Sequence, residues 1–226
     1  MTSLVMSCSS HIKDDEIVYD ESGIGKLDNG EYESMITSEE LNQKSDFGID
    51  SLEIPQGDMV GAKSEFFKPD YKEADKISND NMTTPTSMKT FFDPDKTVML
   101  TGEYNYSKLK KSLDEYLPSK DIIYGIEISG KFDYIQTRSI SGNKQQGTAG
   151  NDTPREVSIA EFADIEGTIV GFWIPGYMKN VGVRGYHFHF KSRDKKMSGH
   201  LLDFKINNPV VYIDFNSQMH LSLIDD

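Results

Sequence analysis

Cysteine is nearly absent: Cys8 is the only one in 226 residues. No internal disulfide can form, and zinc or iron–sulfur sites built on thiolates are excluded. Any metal must therefore be held by His, Asp or Glu. Long apolar runs are missing too. Hydrophobic residues make up 36% of the chain, and nothing approaches the roughly 18 consecutive apolar residues of a membrane span. Positive charge is scarce, with 24 Lys and Arg against 37 Asp and Glu and a net charge of -13. Such a balance disfavours phosphate backbones, whose binding rests on clustered cations, so nucleic acid is not an expected partner.

What remains is a chain long enough to bury a real core. Residues 1–33 are polar, acidic and aperiodic, which reads as a poorly ordered arm. Within it, "SLVMSCSS" resembles the cleavage end of a bacterial lipoprotein signal, but the preceding apolar stretch is short and lacks a basic start. A cytoplasmic protein is the expectation, with export through Cys8 the alternative. Residues 34–226 are expected to fold as one domain, its N-terminal part spanning 34–118 and its C-terminal part 119–226.

Thr37 and Glu40 form a capping box for a short helix ending near Lys44. "SLEIPQGDMVGAKSEFFK" reads as short strands with a turn at Gln56-Gly57, and residues 69–84 as a solvated loop. "NYSKLKKSLDEYLP" places Leu109, Leu113, Tyr116 and Leu117 at helical spacing before Pro118. In "DIIYGIEISGKFDYIQTRSI" a hairpin turn is expected at Ser129-Gly130, with Phe132, Tyr134, Gln136 and Arg138 sharing one face of the second strand. Residues 141–154 read as a flexible loop and 156–165 as a short helix. "GTIVGFWIP" is a strand ended by Pro175, followed by strands at 185–190, 200–206 and 209–215.

Three of the five histidines lie in "GYHFHFKSRDKKMSGHLLD". On a strand, His187 and His189 project together while Phe188 and Phe190 face the other way. If "KSRDKKMSG" turns the chain back, His200 joins them, because cross-strand neighbours lie about 4.5–5.5 Å apart at Cβ. Three imidazoles would leave a zinc ion with open positions, as catalytic zinc sites do. An H-x-H pair alone is a weak signal, and packed or solvated histidines are the ordinary case. His11 and His220 have no such neighbours and read as structural. A three-histidine zinc hydrolase fits the same spacing. A cupin-like oxygenase fits less well, since it expects a glutamate where Ser192 and Arg193 stand.

"GTIVGFWIPGYMKNVGVRGYHFHFKSRDKKMSGHLLD" resembles the metal-binding segment of the α-acetolactate decarboxylases. "YGIEISGKFDYIQTRSI", "TPTSMKTFFDPD" and "DFGIDSLEIPQGDMVG" are similar to further segments of that family in the same order, so the likeness runs from about Leu41 to Leu223. The resemblance implies an α+β fold of two packed mixed or antiparallel β-sheet units with few helices, the metal site on a β-hairpin, and a homodimer. It implies Zn2+ on His187, His189 and His200, and Arg138 in contact with a small 2-hydroxy-3-keto acid, 2-acetolactate. Ser51 stands where the family has a substrate-contacting threonine, and Asp58 where it has a glutamate near the metal. Ser198 replaces the first glycine of the family's Gly-Gly-His. The family also continues beyond Leu223 and supplies a further glutamate. These departures leave a decayed, non-catalytic binding member of the fold as a second expectation.

Overall fold

The computed structural model describes residues 16–22, 36–37, 45–49, 60–62, 65–68, 75–76, 83–84, 86–141, 156–178 and 183–223. The strands in chain order are β1 (Ile17–Ser22), β2 (Ile36–Thr37), β3 (Phe47–Ile49), β4 (Val60–Ala62), β5 (Glu65–Lys68), β6 (Asp75–Lys76), β7 (Thr83–Thr84) and β8 (Thr86–Thr90). There follow β9 (Lys96–Met99), β10 (Glu103–Asn105), β11 (Ile123–Ser141), β12 (Glu156–Ile174), β13 (Gly185–Ser192), β14 (Ser198–Asn207), β15 (Val210–Asn216) and β16 (Gln218–Leu223). One sheet has the order β16-β1-β8-β3-β4-β5-β6 and the other β10-β14-β13-β12-β11-β15-β9, while β2 and β7 pair separately. Two packed sheets with one α-helix among the described residues make this the α+β fold that the sequence implies.

β14 pairs with β13 on one side and with the C-terminal half of β11 on the other, so β11, β12, β13 and β14 close into a small barrel. Its interior is filled by Ile126, Ile128, Phe132, Ile135, Ile169, Phe188, Phe190, Leu201, Phe204 and Ile206. Removing each such side chain from water stabilises the fold by roughly 1.5–3 kcal/mol. The outer face of β12 packs on the first sheet. There Val170, Phe172 and Ile174 meet Val18, Phe47, Ile49, Val60 and Met88.

The helix α1 (Tyr106–Leu113) begins where the Asn105 side chain accepts from the Lys108 amide, the usual way a first turn satisfies a free N–H. Leu109 and Leu113, one turn apart, are fully buried in the barrel cluster. The chain then turns through Tyr116 to bury Leu117.

Several readings are corrected. Ser129-Gly130 is no turn, because β11 runs unbroken through it and pairs Gly130 with Gly167 of β12. These glycines serve close approach. A Cβ on Gly167 would lie 2.4 Å from the Lys191 carbonyl oxygen and from the Phe190 ring, and one on Gly130 would lie 3.1 Å from the Ile206 side chain. Residues 156–165 are strand, not helix. Asp164 has φ 52°, which interrupts the alternation, so Phe162 and Ile165 both pack toward the barrel core. Apolar residues three apart on one face mimic a helical period. A bulge after Phe132 shifts β11 against β14 in the same way, so Phe132 and Ile135 fill the core while Tyr134 and Gln136 share Glu161 on the other face. Phe132 thus does not share the face of Arg138.

Ile17–Ser22, read as part of the arm, forms β1 between β16 and β8, and β6 and β7 lie within the segment read as a loop. The second sheet already begins at Lys96, and β16 returns to the first, so the sheets do not divide the chain at residue 118. Thr37 ends β2; the expected helix after it, the Gln56-Gly57 turn, the loop from 142, Cys8 and His11 lie outside the described residues.

Candidate metal centre

Alternation along β13 puts Phe188 and Phe190 into the barrel and turns His187 and His189 outward. β14 runs antiparallel beside it with His200 directly opposite His189, and His200 is also directly opposite Arg138 of β11. Residues directly opposite share a face. Three strands therefore deliver three imidazoles and one guanidinium to a single patch on the outer face of the barrel.

The His187 Nε2 lies 3.1 Å from the His200 Nδ1 and 3.2 Å from the His189 Nε2, and one nitrogen from each ring falls within 4.8 Å of the others. Zinc–nitrogen bonds of about 2.0–2.1 Å at tetrahedral angles separate ligand nitrogens by roughly 3.3 Å. The donor set thus has the spacing such an ion requires. Protonation does not compete for it: burial first, then the nearby His200 and Arg138, lowers His187 to about 3. Burial and Arg138 lower His200 to about 4, and burial first, then the neighbouring imidazoles and the Arg138 guanidinium, which disfavour a further proton here, take His189 well below 6.5. All three rings are neutral at physiological pH and present lone pairs, as metal ligands must.

Three buried side-chain atoms among the described residues lack a hydrogen-bond partner: the Arg138 Nε, the His189 Nδ1 and the Ser198 Oγ. Buried polar groups are ordinarily satisfied. Here all three belong to the histidine patch or its edge, where an incoming group can be bound by atoms that spend nothing on the protein itself.

Contacts at both ends hold β13 in place. The Tyr106 hydroxyl donates to the Tyr186 carbonyl at 3.0 Å, and the Tyr186 hydroxyl donates to the Asp114 carboxylate at 3.0 Å. Burial raises Tyr106 to about 12 and, with Asp114 beside it, raises Tyr186 further, so both phenols keep their protons and remain donors. Beyond the histidines, the Lys191 ammonium donates to the Ala62 carbonyl at 3.1 Å and ties β13 to β4. Ser51 and Asp58 lie outside the described residues. His220 is exposed on β16 beside Tyr19.

Two glycines that place the patch escape the sequence reading. A Cβ on Gly171 would lie 2.0 Å from the His187 carbonyl oxygen, and one on Gly199 would lie 3.0 Å from the Arg138 carbonyl oxygen. Each lets a neighbouring strand approach a site residue. The available signal is a glycine inside an otherwise apolar or β-branched run, which marks close backbone approach.

Comparison with known proteins follows the same outline. The family model described as alpha-acetolactate decarboxylase matches residues 18–226. An alpha-acetolactate decarboxylase of Methylococcus capsulatus is 30% identical over 210 residues, covering 93% of this chain and 81% of that protein. The Bacillus subtilis enzyme of the same name is 28% identical over 206 residues, covering 91% of this chain and 81% of its own length. The crystal structure of alpha-acetolactate decarboxylase from Bacillus subtilis strain 168 superposes with a TM-score of 0.83 at 28% identity, over 93% of this chain and 90% of that one. A Staphylococcus aureus protein of unknown function, 23% identical, shares the fold with a TM-score of 0.80 over 92% of this chain and 89% of its own.

Proposed function

Because the chain belongs to the alpha-acetolactate decarboxylase family, we propose that it is a carboxy-lyase converting 2-acetolactate to acetoin and carbon dioxide at a zinc centre. The observation that carries this reading is the convergence of three neutral imidazoles, two buried and one half-buried, beside a guanidinium whose Nε has no partner. His187, His189 and His200 would hold the ion.

Loss of carbon dioxide leaves an electron pair on the carbon next to a ketone, so the reaction needs an electron sink. Zinc, when bound, supplies a Lewis acid toward the ketone and hydroxyl oxygens of the substrate. The protein's own part begins with Arg138. Its planar fork matches a carboxylate, and facing His200 across the sheet it orients the departing group. Burial of His187 and His189 excludes water, which strengthens the attraction between the guanidinium and the substrate anion. In this reading Asp58 is the carboxylate that manages a proton near the metal and Ser51 contacts the substrate. A homodimer in the cytoplasm, without nucleic-acid partners, completes the proposal. No helix among the described residues is long and apolar enough to cross a membrane.

Metal content tests the centre. Purified protein should carry close to one zinc per chain, and His189→Ala should lose both the zinc and any acetoin formation while keeping its circular dichroism spectrum. Absence of divalent metal by elemental analysis, even after zinc is added and excess removed, sinks the proposal.

A further inference from the structure

We infer that Ser198 is a positioning residue for this chain's metal centre: its hydroxyl accepts the His189 Nδ1–H through one buried water, and so fixes the ring with Nε2 toward the ion. The inference rests on the three-histidine reading above and concerns a residue that this reading does not use.

Two buried groups on neighbouring strands each lack what the other supplies. His189 is almost fully buried and its Nδ1 has no partner; Ser198 is buried and its Oγ has none. A neutral imidazole carries one N–H, and the nitrogen that binds a metal must be the other one. The His189 Nε2 faces the His187 Nε2 at the point of convergence. Its proton therefore sits on Nδ1, which requires an acceptor. Metal-bound histidines almost always donate that second N–H to an oxygen, and the partner fixes both tautomer and ring orientation.

Ser198 is the hydroxyl placed to accept it. Because His189 pairs with His200 and Lys191 pairs with Ser198, Ser198 is the diagonal neighbour of His189 on the adjacent strand. It lies two residues before His200, on the same face. Diagonal neighbours lie about 7–8 Å apart, closer between Cβ atoms, within reach of a ring and a hydroxyl that share one water; the two atoms do not bond each other directly. Other groups at this end of the hairpin are engaged elsewhere. The Lys191 ammonium donates to the Ala62 carbonyl, and the Ser192 hydroxyl donates to Asp194 and accepts from the Met197 amide.

The test compares wild type with Ser198→Ala and Ser198→Thr by zinc competition against a chromophoric chelator, with circular dichroism on each. Nitrogen-15 NMR of the zinc-loaded proteins follows the His189 ring. Ser198→Ala should weaken zinc binding about 10–100-fold and expose the Nδ1 proton to fast exchange, whereas Ser198→Thr should restore both. Wild-type affinity in Ser198→Ala overturns the inference, as does a loss that threonine fails to restore in a folded protein. Failure of wild type to bind zinc at all overturns the metal centre itself, and is thereby distinguishable from failure of Ser198 alone.

Discussion

The two faces of β13 are built on opposite rules. Inward, Phe188 and Phe190 are fully buried and pack edge-on or tilted against Tyr106, Tyr186 and Phe132. Outward, one residue away in each case, His187 and His189 are as deeply buried but carry shifted protonation and, at His189, an unsatisfied nitrogen. The difference shows where the cost of the site is met. Apolar packing on one face fixes the backbone, and a fixed backbone holds imidazoles in an arrangement that their own interactions would not select.

That division can be broken from the inward side, with the largest effect. Phe190→Ala removes a ring packed on Phe132 and should destabilise the protein by about 3–5 kcal/mol, read as a lower midpoint in urea. Because the histidines ride on the same strand, zinc affinity should fall as well. An unchanged midpoint would mean that the barrel core does not support β13.

Breaking it from the outward side should be milder and of a different kind. Arg138→Lys keeps the charge but loses the fork, so acetoin formation should fall by roughly ten- to a hundredfold, about 1.4–2.8 kcal/mol in transition-state terms. Zinc content and thermal midpoint should stay put. Wild-type turnover in this variant would place Arg138 outside the substrate's reach.

Acid gives the smallest effect between pH 7 and pH 6, and it sharpens the contrast. Below about 6.5 the unfolded chain protonates its histidines, whereas folded His187 stays neutral until about 3 and His200 until about 4. The unfolded state then binds more protons, so stability of the metal-free protein falls as pH drops and is fully present above 6.5. His187→Phe should flatten this dependence in urea titrations across the range. An equally steep slope in that variant would assign the acid sensitivity elsewhere.

How much of this was legible in the sequence follows from the same two faces. Strict alternation in "YHFHF" announces a strand with histidines on one side, and the strands at 185–192 and 198–207 lie where the apolar pattern puts them. Pro175 ends β12 as expected, since its nitrogen has no proton for the ladder. Alternation is also why the remainder was hidden. Where Asp164 takes a positive φ, the apolar period of β12 changes from two to three and the strand reads as a helix; where β11 bulges after Phe132, strict alternation puts Phe132 on the wrong face. Gly130 reads as a turn because close approach by another strand depends on residues far away in sequence. The opposition of Arg138 and His200 arises from barrel closure, which no local pattern encodes.

The central claim is that acetolactate decarboxylation depends on a metal held by these histidines. It is tested most directly by incubating the protein with racemic 2-acetolactate in three states, zinc-loaded, chelator-stripped and stripped then reloaded, and measuring acetoin in each. Zinc-loaded and reloaded protein should form acetoin well above the spontaneous rate, and stripped protein should not. Acetoin formed equally fast after complete removal of metal would contradict the account, as would a fully loaded protein that forms none.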